Sequence, residues 1–453
     1  MLDAEFLSRI QFAFTISFHI LFPAFSIGLA TFLMIMEALY LRTKNPLYLT
    51  ICKFWMKIFA LTFGMGVVSG IVMEFQLGTN WSGFTKMVGP VLGALFTYEV
   101  LTAFFIEAGF LGVMLFGWNK VGPKLHFLST CLVFLGVTLS AFWILSANSW
   151  MQTPSGAHLV NGEFLVTSYW QVVFNPSVIG RFIHMLLSAY ITTLFVIAGV
   201  SAFYLARKVH VKFSRKCLSF SLWVLLFLVP AQIFVGDAVG IVVHDYQPIK
   251  TAAIEAVWTT QKGAPLVLLA WPNMKTQSND YSIQIPHLAA LMNTHEWNGN
   301  LEGLESVSPE DQPYVPLVFY SFRIMVGLGI LMLLIVILGL VQRFRKKLYE
   351  SPWFHRMLIM ASPIGFIALI SGWFTAETGR QPWAVYNILR TSEASSKVSI
   401  SNVWISLILM VVVYGIIFGI FYFRYLGRII SKGPEGKIEI EMPFSYLNNK
   451  EIV

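Results

Sequence analysis

Charge is scarce in this 453-residue chain: Asp, Glu, Lys and Arg make up only 12% of it, roughly half of what soluble domains carry. With 56% apolar residues and a mean hydropathy of +0.68, that scarcity excludes the two or three soluble domains that length alone would suggest. Cysteine is scarcer still. Cys52, Cys131 and Cys217 stand far apart and form no CxxC or CxxCH string, so a disulfide framework, an iron–sulfur site and covalent c-type haem attachment lack support. They read as small apolar residues in or beside helices. There is no HExxH string and no pair of histidines four apart, which argues against a helical zinc site. No repeat of about 20 to 50 residues is visible, and the two halves lack the matched broken helices of transporters.

What the chain has instead is long apolar runs. Nine windows of roughly 20 or more residues, each able to cross a hydrocarbon core of about 30 Å, recur at 12–40, 52–77, 91–118, 125–150, 181–207, 216–239, 316–342, 355–376 and 403–425. The first follows a polar start with Asp3, Glu5 and Arg9 and is too long and Phe-rich for a cleaved signal, so it reads as a retained helix. The expected fold is an all-α integral membrane protein of about nine transmembrane helices. Net charge is +8, yet about 21 of the 31 basic residues follow windows one, three, five and seven or lie in the C-terminal tail, as in RKVHVKFSRK at 207–216 and RFRKK at 343–347. That distribution points to a cytoplasmic membrane face rather than to nucleic acid. It places the N-terminus outside and the C-terminus in the cytoplasm. The expected organisation is helices one to six in 1–239, an extracytoplasmic segment at 240–315, helices seven to nine in 316–430, and a cytoplasmic tail at 431–453.

Polar residues inside these windows cluster by depth. His19 lies about seven residues, roughly 10 Å, into the first window. His184 in RFIHML opens the fifth, Met325 in SFRIMVG is about nine residues into the seventh, and Glu377 ends the eighth. With odd windows running inward and even ones outward, all four fall in the outer leaflet. A single His or Met on an apolar face is most often a packing residue. A His and a Met facing one another across two helices, however, offer the axial N and S of a low-spin haem b, and Arg181 and Arg323 are cations that could meet haem propionates. Glu99 and Glu107, in YEVLTAFFIEAGF, are eight residues apart: about 12 Å along an ideal helix and about 80° around it, so both can line one path for protons. Structural hydrogen bonds to a neighbouring Ser or Thr are the alternative, and Ser140 on the fourth window is a candidate donor between them.

Taken with GWFTAETGRQPW at 372–383, these residues resemble subunit I of the cytochrome bd family of bacterial quinol oxidases. The resemblance spans all nine windows, and its most specific string is GRQPW at 379–383. It implies a bacterial inner-membrane, multi-pass enzyme that oxidises quinol at the outer face and reduces dioxygen to water with cytoplasmic protons, building membrane potential without a separate pump. By resemblance, His184 and Met325 match the axial ligands of a low-spin haem b. His19 and Glu377 match the ligands of a high-spin pair: a haem b, and a haem d or a third haem b in its place. Glu99 and Glu107 match the haem-proximal and proton-path acids, Trp373 an aromatic beside the haems, and Arg380 a residue near the propionates. In QPIKTAAIEAVW at 247–258, Lys250 and Glu255 read by themselves as solvated charges, whereas the resemblance assigns them to quinol oxidation. Implied partners are a second subunit of homologous fold (subunit II), small single-helix subunits, ubiquinol or menaquinol, dioxygen and the bilayer, with no nucleic acid. A proton or ion transporter would also use buried glutamates but has no need of His184 with Met325. A haem b anchor of a dehydrogenase would explain the histidines but not Glu99 and Glu107.

Overall fold

The computed structural model describes residues 3–434, so most of the expected cytoplasmic tail lies outside the described residues. Nine helices long and apolar enough to span a membrane are present among them: α1 (Ala4–Thr43), α2 (Pro46–Thr79), α3 (Ser82–Phe116), α4 (Pro123–Gln152), α5 (Val178–Ala206), α6 (Val211–Tyr246), α7 (Val315–Phe344), α8 (Pro352–Thr378) and α9 (Ile400–Lys432). Each contains most or all of its apolar window and extends beyond it on one or both sides, because polar caps rather than the last apolar residue end a helix. Asp3 accepts the Phe6 N–H at the start of α1, and Lys44, in the left-handed region, closes it. Asn45 then caps α2, whose first residue is Pro46. The α6 helix runs on to Tyr246, so the long connection between α6 and α7 starts at Gln247 rather than at 240.

The helices pack around α1 and α5, the most buried of the nine. Gly28 lets those two backbones approach: a Cβ there would lie 2.0 Å from Thr193 Oγ1 and 2.8 Å from the Ala189 carbonyl. Gly199 does the same for α5 against α8, where a Cβ would meet Ser362 Oγ at 1.8 Å. Toward one end, Phe32, Phe54, Trp55, Tyr204 and Phe213 form edge-to-face contacts at centroid distances of 5.2–6.3 Å. Pro363 interrupts α8 between Ala361 and Ile364. The α3 and α9 helices each contain a π-helical stretch, Val100–Phe104 and Val411–Phe418.

Among the described residues, the connections between helices carry the little strand there is. One hairpin, β1 (Ala157–Val160) with β2 (Glu163–Val166), joins α4 to α5. A longer one, β3 (Leu266–Asn273) with β4 (Ser278–Ile285), belongs to the connection from α6 to α7, which also holds the short helix Pro248–Glu255 with its own apolar core around Ile249, Ala253 and Leu304.

Candidate functional site

His19, His184 and Met325 each face a glycine of a neighbouring helix. On α2, Ser69 Oγ lies 3.0 Å from His19 Nδ1, and a Cβ on Gly70 would come within 3.2 Å of the ring. A hydrogen bond at Nδ1 sets the tautomer and leaves Nε2 outside that bond. On α6, a Cβ at Gly236 would stand 3.2 Å from His184 Cε1, and Gln232 Nε2 sits 3.2 Å from His184 Nε2. His184 Nδ1 and Gln232 Oε1 are buried without a hydrogen-bond partner. On α8, a Cβ at Gly372 would fall 2.8 Å from Met325 Sδ, and the next residue, Trp373, packs against the main core. The α1 helix begins eight residues before its apolar window, which places His19 fifteen positions from the helix start, still nearer that end than the other.

Glu377 anchors a charged network at the end of α8. Arg380, one turn on, donates to Glu377 Oε2 at 2.6 Å, while Asn148 Nδ2 and Gln152 Nε2 of α4 donate to Oε1 at 3.0 and 3.1 Å. Arg181 Nη2 donates to Asn148 Oδ1 at 2.5 Å and its Nη1 to Ser149 Oγ at 3.0 Å. Gln152 Oε1 in turn accepts from Gln247 Nε2 at 3.1 Å and from Lys250 Nζ, which also donates to Gln247 Oε1 at 2.6 Å. The connection between α6 and α7 is thus joined to Glu377 through one amide. Arg380 Nε and Nη1 remain buried without partners. An orphaned guanidinium of that kind has capacity for an anion.

Lys250 and Glu255 are not solvated charges. They are 3% and 1% exposed, because the short helix carrying them is roofed by the rest of its connection. Burial, with Arg181 and Arg380 adding repulsion and Glu377 opposing, holds the Lys250 ammonium well below the usual lysine range. Its stem crosses Gly379, where a Cβ would meet Lys250 Cγ at 2.8 Å. Glu255 pairs with Arg323 Nη2 at 2.8 Å and accepts from Asn293 at 3.3 Å; Arg323 Nε also donates to the Val267 carbonyl, leaving Nη1 buried and unpartnered. A cavity of about 140 Å³ opens beside this junction, lined by Ile249, Gly379, Gln381, Trp383 and Tyr386 among others.

Glu99 and Glu107 both face α4. Ser140 Oγ donates to Glu99 Oε1 at 2.7 Å, and one turn earlier a Cβ on Gly136 would sit 2.6 Å from Glu107 Cγ. The sequence reading of about 80° between them assumed an unbroken α-helix. The π-helical stretch between them turns less per residue, so their separation around the axis closes.

Asn148, Gln152, Gln247 and Gln232 escaped the sequence reading. Amides carry no charge to stand out, although Asn148 and Gln152 at i, i+4 on the end of an apolar window were a usable signal. Also unforeseen is a buried cluster near the opposite end of α1, where Glu37 meets His126 Nδ1 at 2.7 Å and Thr130 Oγ1 at 2.6 Å. Among the described residues no three His, Cys, Asp or Glu side chains converge as a metal cage.

Residues 7–434 match the family model described as cytochrome bd terminal oxidase subunit I. The chain is 38% identical to cytochrome bd ubiquinol oxidase subunit 1 of Bacillus subtilis, covering 97% of this chain and 96% of that protein. It is 33% identical to cytochrome bd-II ubiquinol oxidase subunit 1 of Escherichia coli, over 91% and 94%. The fold is similar to that of the bd oxidase from Geobacillus thermodenitrificans, with a TM-score of 0.89, 29% identity, and coverage of 95% of this chain and 99% of that one. With nine membrane helices, a network of buried charge at one end and a match over nearly its whole length, the chain belongs to the cytochrome bd terminal oxidase subunit I family.

Proposed function

We propose that this chain is the quinol-oxidising, haem-bearing subunit of a terminal oxidase in a bacterial cytoplasmic membrane, working with a second membrane subunit on quinol and dioxygen. The N-terminus then lies outside, the C-terminus inside, and the connection between α6 and α7 forms the quinol site. The observation that carries this reading is the continuous set of contacts from Lys250 through Gln152 to Glu377 and Arg380. It sets a titratable amine of the outer connection one amide away from a carboxylate at the end of a membrane helix.

The residues fit haem by two features: donor atoms facing glycines, and the orphaned polar atoms His184 Nδ1, Arg323 Nη1, Arg380 Nε and Arg380 Nη1. His184 and Met325 would hold a low-spin haem b, and His19 and Glu377 the high-spin pair, a haem b with a haem d or a third haem b. Trp373 would pack beside them, and Arg181, Arg323 and Arg380 would meet propionates. When bound, the haems would supply one-electron transfer between quinol and dioxygen, whose reduction gives water.

The chain's own residues handle protons and position. A neutral Lys250 that donates to both Gln152 and Gln247 uses its two N–H bonds and keeps a lone pair, so it can take a proton from a quinol hydroxyl. Glu255, oriented by Arg323 and Asn293, is a second acceptor. On the other side, Glu107 receives cytoplasmic protons and Glu99, held by Ser140, passes them toward the haem pair.

A pyridine haemochrome assay on the purified enzyme tests the reading. Three haems per chain are expected, while two would indicate a dehydrogenase anchor and none a transporter. His184→Ala and Met325→Leu should each abolish the low-spin spectrum and quinol-driven oxygen uptake with the protein still inserted in the membrane; an unchanged spectrum in both would sink the ligand assignment.

A further inference from the structure

The hairpin β3–β4 carries an apolar face that nothing among the described residues covers. Along β4, Ile283 and Ile285 lie on one face and Ser282 and Gln284 on the other, with Gln284 Nε2 donating to Ser282 Oγ at 2.9 Å; Tyr281 sits at the register irregularity beyond Ile283, where Trp271 pairs with Asp280. Tyr281 is 95% exposed and adopts φ 52°, a left-handed conformation unusual for an aromatic residue in a strand. Ile283 pairs with Leu269, and Trp271 on the same strand is 64% exposed. In water such a face would be an aggregation hazard.

Its depth resolves the difficulty. The α7 helix has 30 residues, about 45 Å, which matches a bilayer of about 40–45 Å with its headgroups. Val315 then stands at the outer headgroup surface, and Tyr320 and Arg323 lie about 8 and 12 Å deeper. These two residues hold β3: Tyr320 Oη donates to the Ala270 carbonyl at 2.6 Å, Arg323 Nε to the Val267 carbonyl at 2.9 Å, and the Trp271 and Tyr320 rings are 6.2 Å apart. The hairpin is therefore fastened at the headgroup–hydrocarbon boundary. There it continues the exposed apolar surface of α7, represented by Leu317 and Ile324. Trp and Tyr prefer that layer.

We propose that the β3–β4 hairpin lies in the outer leaflet with Leu269, Trp271, Tyr281, Ile283 and Ile285 against lipid. As a consequence resting on the quinol-oxidase reading, it forms the sill over which an isoprenoid-tailed quinol passes from the bilayer to Lys250. Backbone held to α7 by side-chain donors makes the hairpin a fixed edge rather than a transient one.

The test places an environment-sensitive fluorophore on Ile283→Cys and, as a water-facing control, on Glu310→Cys in the complete oxidase reconstituted in nanodiscs. The unmodified oxidase, in which this chain carries Cys52, Cys131 and Cys217, serves as the labelling blank. The label at 283 should be quenched by brominated lipid and shielded from aqueous iodide; the label at 310 should show the reverse. Equal iodide quenching at both sites overturns the proposal, and so does shielding of 283 from both quenchers, which would mean that protein covers the hairpin. A paired kinetic measurement uses Leu269→Ser with Ile283→Ser: KM for a long-tailed quinol should rise roughly threefold to tenfold, with KM for a tail-less quinol and kcat unchanged. Equal effects on both quinols would remove the sill while leaving the lipid placement and the quinol-oxidase reading standing. Loss of turnover with both quinols in Lys250→Gln tests that reading separately.

Discussion

At the residue scale the balance is between burial and partnership. Lys250 sits where an ammonium is disfavoured by burial and by Arg181 and Arg380, with Glu377 only partly offsetting them. A lysine lowered in this way sheds its proton as pH rises through the lowered value, so its lone pair is free on the alkaline side. Quinol-driven oxygen uptake should therefore climb with pH through that value and level off. Lys250→Gln should remove the climb and reduce kcat by about 10²-fold or more. Lys250→Arg keeps the charge but cannot release a proton, so it should be as slow as the glutamine variant; a normal pH profile in it would mean that charge alone matters. The same shift makes the folded state bind fewer protons than the unfolded chain between the lowered value and the ordinary lysine value, so Lys250 favours folding increasingly as pH rises across that window. Glu99 and Glu107 divide differently. Glu107→Gln should keep the haem content and slow oxygen reduction after the haems are reduced, whereas Glu99→Gln, which keeps an amide oxygen to accept the Ser140 hydroxyl but removes the carboxylate, should alter the spectrum of the haem pair. Flash-flow kinetics on prereduced enzyme distinguishes them.

At the scale of elements, short irregularities do what regular helices cannot. The π-helical stretch Val100–Phe104 brings Glu107 round to the Gly136 side of α4. Inserting one alanine between Phe105 and Ile106, in the α-helical stretch that follows, should turn Glu107 by about 100° relative to Glu99. Oxygen reduction should then fall as in Glu107→Gln. Full turnover in the insertion variant would show that the alignment is unimportant. Gly379 plays a comparable part for the outer connection. A methyl group there would press on Lys250 Cγ at 2.8 Å and on the Thr375 carbonyl at 2.7 Å, so Gly379→Ala should cut quinol turnover about tenfold while oxygen uptake with an artificial reductant changes little. Proteolytic cleavage within the connection from Gln247 to Tyr314 should have the same selective effect. If quinol turnover survives cleavage, the connection is a spacer.

At the scale of the whole molecule, the candidate haem ligands gather toward one end of the helices while the basic connections occupy the other. In the proposed function, protons drawn from the cytoplasm would cross about half the membrane to reach dioxygen. Moving one charge across the full membrane is worth about 2.3 kcal/mol per 100 mV, so uptake from that side alone generates potential. Proteoliposomes with the quinol site facing out should become alkaline on the inside during turnover. Alkalinisation of the outer medium would reverse the proposed direction.

The nine spans were legible in the chain because lipid imposes a simple rule, about 20 apolar residues per crossing with every intramembrane charge conspicuous, and the family was legible through the resemblance carried by GWFTAETGRQPW. Local pattern is enough for that. It could not show that Lys250 and Glu255 are buried, since five residues of spacing in a polar connection look solvated until the apolar core around Ala253 and Leu304 closes over them. Nor could it give the closeness of Glu99 and Glu107 around α3, which depends on a stretch of π-helix, or the choice of Asn148 and Gln152 as partners for Glu377. Those are decided by which helix faces which, and helix contacts between residues more than 200 positions apart in sequence are set only when the bundle packs.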